Sequence, residues 1–130
     1  MSITLTIDEL RSLIAQSTAA PVDATSIGET SILSKYLGQH VCVRSHGSGV
    51  WLGTLKVASG ADVILSDARR VYYWDGAATL SELAQRGTSS PSTCKWPAAV
   101  SEVAVTSVLE VIPTTPEARA THAAVAVWSK

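Results

Sequence analysis

The sequence predicts a mainly β protein with short helices, an α+β fold arranged as a small, strongly bent β-barrel with an N-terminal helix. Three observations carry that expectation. Short runs of alternating apolar residues, each bounded by glycine or polar turn residues, follow one another from residue 40 onward. Gly53 interrupts the longest run, "GVWLGTLKVA", on the face it shares with Trp51, Leu55 and Val57, which suggests a sharp bend there. Strands this short leave exposed edges in a flat sheet, and a closed or nearly closed barrel deals with them best.

Composition limits the class of protein. A chain of 130 residues is one domain by size. With 46% apolar and 16% charged residues it is too apolar to be disordered. No apolar run approaches the roughly 18 residues that a membrane span needs. The start, "MSITLTIDELRS", carries acids where a signal peptide would carry a basic and then a long apolar region. These features point to a soluble, cytoplasmic protein without membrane contact. Cys42 and Cys94 lack motif spacing, as expected of free thiols in a reducing compartment.

Residues 1–30 are expected to form an N-terminal amphipathic helix and a flexible linker, and residues 31–130 the barrel-like domain. Thr6 and Glu9 form a capping box before the stripe Ile7, Leu10, Leu13 and Ile14, which gives a helix over about residues 7–16. It packs either on a partner chain or on its own domain. "SILSKYLGQ" reads as a second short helix stopped by Gly38. Strands follow in "HVCVRS", "GVWLGTLKVA", "ADVILSD" and "RRVYYW". Thr79 and Glu82 cap a two-turn helix that closes at Gly87, and "TSSPSTCKWPA" is a loop. "EVAVTSVLEVIP" is the last strand, and Thr115 with Pro116 starts a short helix. "AAVAVW" pairs as a terminal strand or packs as a tail.

Two resemblances bear on this order. "YLGQHVCVRSHGSGVWLGTLKVASGADVILSDA" resembles the first half of an Sm-like barrel, where a helix ending in L-G leads into V-x-V, a glycine turn, G-x-L and V-x-L-x-x-A. The resemblance implies an Sm/SH3-like bent-strand barrel and a ring oligomer, with "EVAVTSVLEVIP" as a later strand pair. That family's RNA-reading loop carries an aspartate and an asparagine where this chain has "ASGAD", and its arginine-glycine pair is absent from "TSVLEVI". The segments "VCVRSHGSGVWLGTL", "VILSDARRVYYWDGAATLSELAQRG" and "PSTCKWPAAVSEV" are similar to a group of small phage and prophage proteins of unknown function. That similarity implies a phage-encoded protein made in a bacterial cell.

Candidate chemistry is sparse. His40, Cys42 and His46 give H-x-C-x3-H, a spacing that lets two ligands share a strand face but has no second cluster, so no metal is expected. No nucleophile elbow, phosphate loop or dinucleotide fingerprint occurs, so neither a catalytic role nor a cofactor is expected. The net charge of −1 argues against a general nucleic-acid coat. The middle of the chain is nonetheless locally basic, with Lys35, Arg44, Lys56, Arg69 and Arg70 against Asp62 and Asp67.

"DARRVYYWDGA" is the segment richest in candidate binding groups. Extended, it sets Arg70, Tyr72 and Trp74 on one face and Arg69, Val71 and Tyr73 on the other, with Val71 and Tyr73 suited to the core. The outward stripe could stack flat groups and hold phosphates, with Arg44 and Trp51 extending it from neighbouring strands. It could equally cover the core or an oligomer interface. The candidate ligand-binding residues are therefore Arg44, Trp51, Arg69, Arg70, Tyr72 and Trp74. Combined with the phage resemblance, they suggest a non-enzymatic, homo-oligomeric sponge for a nucleotide-derived host immune signal, of the cyclic nucleotide or cyclic ADP-ribose type. Long nucleic acid is not the expected partner. A virion-associated structural protein and an Sm-like single-stranded RNA binder are the alternatives.

Overall fold

Five strands follow from the alternating runs: β1 (His40–Ser45), β2 (Gly49–Ser59), β3 (Asp62–Val71), β4 (Val100–Val105) and β5 (Val108–Pro113). They belong to a computed structural model that describes residues 31–130, of which Ile32–Lys130 form one unit. The helix expected over residues 7–16 and its linker lie outside the described residues. All neighbours pair antiparallel, in the order β4-β3-β2-β1-β5. A two-residue turn, Gly60 and Ala61, joins β2 to β3, with Gly60 at φ +59°, where a side chain would be strained.

The connections force this sheet to curl. Four inter-strand spacings put the edges of a flat five-stranded sheet about 19 Å apart. Yet β4 and β5, at opposite edges, are joined by Thr106 and Ser107 alone. The Ser107 carbonyl accepts from the His46 N–H at 3.0 Å, and the next residue, Val108, donates to the Ala61 carbonyl at 2.8 Å. His46 and Ala61 flank opposite ends of β2, which would span about 33 Å if straight. β2 therefore wraps most of the way around.

Gly53 is where it bends. The β2–β3 register shifts between Leu52 and Thr54 and again between Leu55 and Val57. A Cβ at Gly53 would lie 3.1 Å from the Ala68 Cα and 3.1 Å from the Ser66 carbonyl oxygen. The bend expected at this glycine is present. Across the bulge Asp67 takes a left-handed φ of 48°.

The α+β class and the bent sheet agree with the sequence, but closure is a correction: no ladder joins β4 to β5, and the sheet is not a closed barrel. Each strand pairs on one side only, β4 with β3 and β5 with β1, and the left-handed Ser107 (φ 55°) sends the chain from one to the other. The single last strand read from "EVAVTSVLEVIP" is accordingly two strands broken at that residue. "AAVAVW" contributes one isolated bridge, Val127 to Trp96, and so packs as a tail.

Apolar residues fill both sides of the sheet. Val41, Val43, Leu55, Leu65 and Val105 pack on the concave side, where Leu33 and Tyr36 from the 3-10 turn Ile32–Tyr36 close over them. Cys42, Leu52 and Val71 face the convex side. There they meet α1 (Leu80–Gln85), Trp96 and Val125. The uninterrupted burial of Val41–Val43 follows from β1 lying between these two layers. Thr79 caps α1 by accepting from the Glu82 N–H. Thr115 caps α2 (Pro116–Ala123) by accepting from the Ala118 N–H.

The bend has a measurable consequence. Gly53→Val is expected to destabilise the protein by about 1–3 kcal/mol through overpacking against β3. Gly47→Ala, where an added Cβ meets nothing within 4 Å, should leave stability unchanged. Denaturant unfolding of both variants checks the difference.

Candidate anion-binding pocket

The residues expected to form an outward stripe do not make one surface. Trp51 is only 5% exposed and packs in the concave-side cluster. The Arg70 guanidinium lies 4.2 Å above its ring and donates to the Ser48 carbonyl at 2.8 Å. Arg44 is exposed and paired with Glu110 at 3.0 Å. Strand β3 stops at Val71, so strict alternation fails beyond it. Tyr73, expected in the core, is 48% exposed, its backbone bridged to Lys95. Trp74, expected outside, packs against the convex-side core and donates from Nε1 to the Ala77 carbonyl. Tyr72 is 63% exposed and stacks on Trp128, with centroids 4.9 Å apart. Val71 is buried as expected.

Arg69 is engaged by backbone carbonyls. On the convex side it donates from Nε to the Pro97 carbonyl at 3.1 Å, from one terminal nitrogen to Trp96 and from the other to His122, both at 3.3 Å. Its guanidinium also lies 5.4 Å from the Trp96 ring. It therefore ties the Trp96–Pro97 segment and the end of α2 to the sheet. Three of its five N–H groups are used, and two remain.

That clamp builds one wall of a cavity of about 200 Å³ on the convex side. Leu52 and the fully buried Trp96 contribute apolar lining, and Asp67, Arg69, His40, Arg119 and His122 contribute polar groups. The bulge opposite Gly53 explains how Asp67 comes to the cavity. Arg119 and His122 are three residues apart and share one face of α2. A second hollow, about 440 Å³, is lined by Gln39, Thr54 and Thr114 and shares His40 and Arg119 with the first.

The two arginines face this space without carboxylate partners. The ion pairs among the described residues are Arg44–Glu110 and Lys56–Glu102. Arg119 donates from one terminal nitrogen to the Thr114 carbonyl at 2.8 Å and to its hydroxyl at 3.2 Å, which leaves the rest of its fork toward the hollows. The His40 and His122 rings lie 6.2 Å apart. His40 bonds the Thr114 hydroxyl through Nδ1 at 2.6 Å. His122 is 6% exposed, and its Nε2 lies 2.8 Å from the Leu83 carbonyl. A carbonyl oxygen only accepts, so Nε2 carries the proton. Its Nδ1 is buried and has no hydrogen-bond partner among the described residues.

Both histidines are pushed toward their neutral form. His40 falls to about 4, through burial first and then the proximity of His122 and Arg119. His122 is lowered chiefly by burial, with Arg119 and Arg69 adding to the effect and the Leu83 bond opposing it. The pocket thus presents two arginines, one acidic residue, Asp67, and two neutral imidazoles.

The H-x-C-x3-H spacing does not assemble a ligand set. Cys42 faces the convex-side core, where burial pushes its thiol up to about 12, and His46 stands exposed beyond the far end of β1. No group of three histidine, cysteine or acidic side chains fit to hold a metal occurs among the described residues. Sequence reasoning missed Arg119 and His122, whose one available signal was their i, i+3 spacing after the Thr115–Pro116 cap.

Folded His40 binds its proton only near pH 4, whereas the unfolded chain does so near 6.5. The unfolded state therefore holds more protons between these values, and stability is complete above pH 6.5 and declines as pH falls toward 4. Thermal unfolding followed from pH 7 to 4.5 should show this fall. His40→Asn, which can still bond Thr114, should flatten it.

The cavity and its lining lie almost wholly within a segment shared with other proteins. Residues 38–122 match the domain of unknown function DUF6948, a stretch that includes His40, Asp67, Arg69, Arg119 and His122. No curated protein matches the chain. The match spans well over half of the sequence, and this protein belongs to the DUF6948 family.

Proposed function

We propose that this protein is a non-enzymatic binding module that captures a small phosphorylated, nucleotide-derived ligand in the convex-side pocket. One observation carries the reading: Arg119 has no carboxylate partner among the described residues and lines a cavity together with His40, Arg69 and His122. A half-buried guanidinium next to neutral imidazoles favours an incoming anion, and its fork matches phosphate geometry. The cavity of about 200 Å³ suits a phosphoryl group, and the adjoining polar hollow of about 440 Å³ suits a sugar. Capture without turnover fits the thiols, since Cys42 and Cys94 are both buried.

The phage resemblance gives this reading a physiological form, sequestration of a nucleotide-derived immune signal in a bacterial host. Within it the stripe residues take new places. Arg69 braces the pocket wall, Arg119 replaces it as the phosphate anchor, and Tyr72 stacked on Trp128 offers a separate aromatic surface. Among the described residues no helix is long and apolar enough to cross a membrane.

A second reading, a structural homo-oligomer, draws on the outer edges of β4 and β5, which carry exposed Val100 and Leu109. It predicts a native mass of several protomers and no small ligand.

Calorimetry of the full chain against a mononucleotide, a cyclic nucleotide and a cyclic ADP-ribose isomer separates the two. At least one is expected to bind and to be recovered unchanged. Arg119→Gln, which keeps a donor for the Thr114 carbonyl, should weaken it by roughly tenfold or more. Failure of every phosphorylated compound to bind would overturn the reading.

A further inference from the structure

His40 lines both hollows, and its hydrogen bonds locate its proton. The ring meets the Thr114 hydroxyl through Nδ1 at 2.6 Å. That hydroxyl donates to the His40 carbonyl at 3.0 Å, which uses its single proton, because a carbonyl oxygen only accepts. Arg119 also donates to the same hydroxyl oxygen, at 3.2 Å. Thr114 has no proton left for the ring, so Nδ1 is the donor. With its pKa held at about 4, His40 is neutral at pH 7 and carries that one proton. Its Nε2 is therefore a bare lone pair.

This atom is open to a ligand. His40 is partly exposed, and its Nε2 is neither hydrogen-bonded nor one of the buried unpartnered polar atoms among the described residues. Asp67, exposed and outside both ion pairs, adds an acidic residue to the cavity lining. The lining is thus mixed: Arg119 and Arg69 offer donors and positive charge, whereas His40 offers an acceptor and Asp67 a negative charge. Sulfate would suit the arginines alone, would leave Nε2 facing an acceptor and would stand near Asp67. A neutral sugar would suit the acceptor and leave the arginines unpaired. An ammonium would donate to Nε2 but bring positive charge beside Arg119.

Resting on the anion-binding reading of the same pocket, we infer that the ligand is a sugar phosphate, one hydroxyl of which donates to His40 Nε2 while Arg119 holds the phosphoryl group. Both side chains reach Thr114 Oγ1, so the two anchors are adjacent and one small molecule can meet both. His40 then sets specificity for a free hydroxyl. Thr114 is a positioning residue, since it holds the tautomer that leaves Nε2 bare.

Nitrogen-15 NMR of the full chain reads the tautomer directly, and His40 should show a protonated Nδ1 and an unprotonated Nε2. Calorimetry at pH 8, where phosphomonoesters are dianions without a proton to donate, compares ribose 5-phosphate with methyl phosphate. Ribose 5-phosphate should bind about tenfold more tightly and should shift the His40 Nε2 resonance. His40→Asn can still bond Thr114 but has no Nε2, so it should bring ribose 5-phosphate to within about threefold of methyl phosphate. A proton on Nε2, a native ratio below about threefold, or a preference that survives His40→Asn overturns the inference. In those cases the anion site stands as long as methyl phosphate binds and Arg119→Gln weakens it. If neither phosphate binds, the anion site falls as well. Should His40→Asn not fold, the Nε2 resonance of the native chain decides, because methyl phosphate must move it less than ribose 5-phosphate does.

Discussion

The structure depends on how far β2 bends. Ser107 and Val108 hold backbone hydrogen bonds to His46 and Ala61, the residues flanking β2, and Ser107 also donates to the Asp62 carboxylate. One short connection thus ties together turns that a straight strand would keep far apart. Two bulges interrupt the β2–β3 pairing along this bend, and Gly53 allows the close approach to Ala68. The first bulge places Asp67 in a left-handed conformation, and the residue joins the lining of the convex cavity. A feature that closes the core therefore also shapes the pocket.

Arg69 links the sheet to everything that covers it. An arginine beneath a loop would ordinarily be costly to desolvate, and burial does lower its pKa. Three backbone carbonyls offset that cost, and the Trp96 ring lies against the guanidinium. Lysine could not reach three acceptors in one plane. Trp96 in turn donates to the Tyr73 carbonyl, and the Trp128 N–H returns to the Trp96 carbonyl. The loop, the C-terminal tail and α2 are organised around one side chain in β3.

Sequence patterns were informative wherever the physics was local. The Thr79 and Thr115 caps depend on neighbours three residues away, and both helices begin where those residues predict. The Gly53 bend follows from one residue type in one run. Tyr73 and Trp74 show where such reasoning ends. Alternation holds only while a strand continues, and β3 yields to an isolated bridge with Lys95, a partner 22 residues downstream. The pocket was illegible for a related reason. His40, Arg69 and His122 lie on three elements, and only the sheet order and the Arg69 clamp bring them together.

Charge makes the same point about distance. Between residues 35 and 70 the sequence is basic, which could suggest a positively charged strip for a nucleic-acid strand. The fold brings Glu102 on β4 to Lys56 and Glu110 on β5 to Arg44, so acids from late in the chain neutralise that run at both sheet edges. Arg70 lies on Trp51, and Arg69 turns to backbone carbonyls. A polyanion is held through many phosphates along a continuous basic track. Here the track is broken by pairing, whereas Arg119 keeps its charge beside a cavity of about 200 Å³. Under the proposed anion-binding reading, one charge beside a small hollow suits a single phosphoryl group better than a strand.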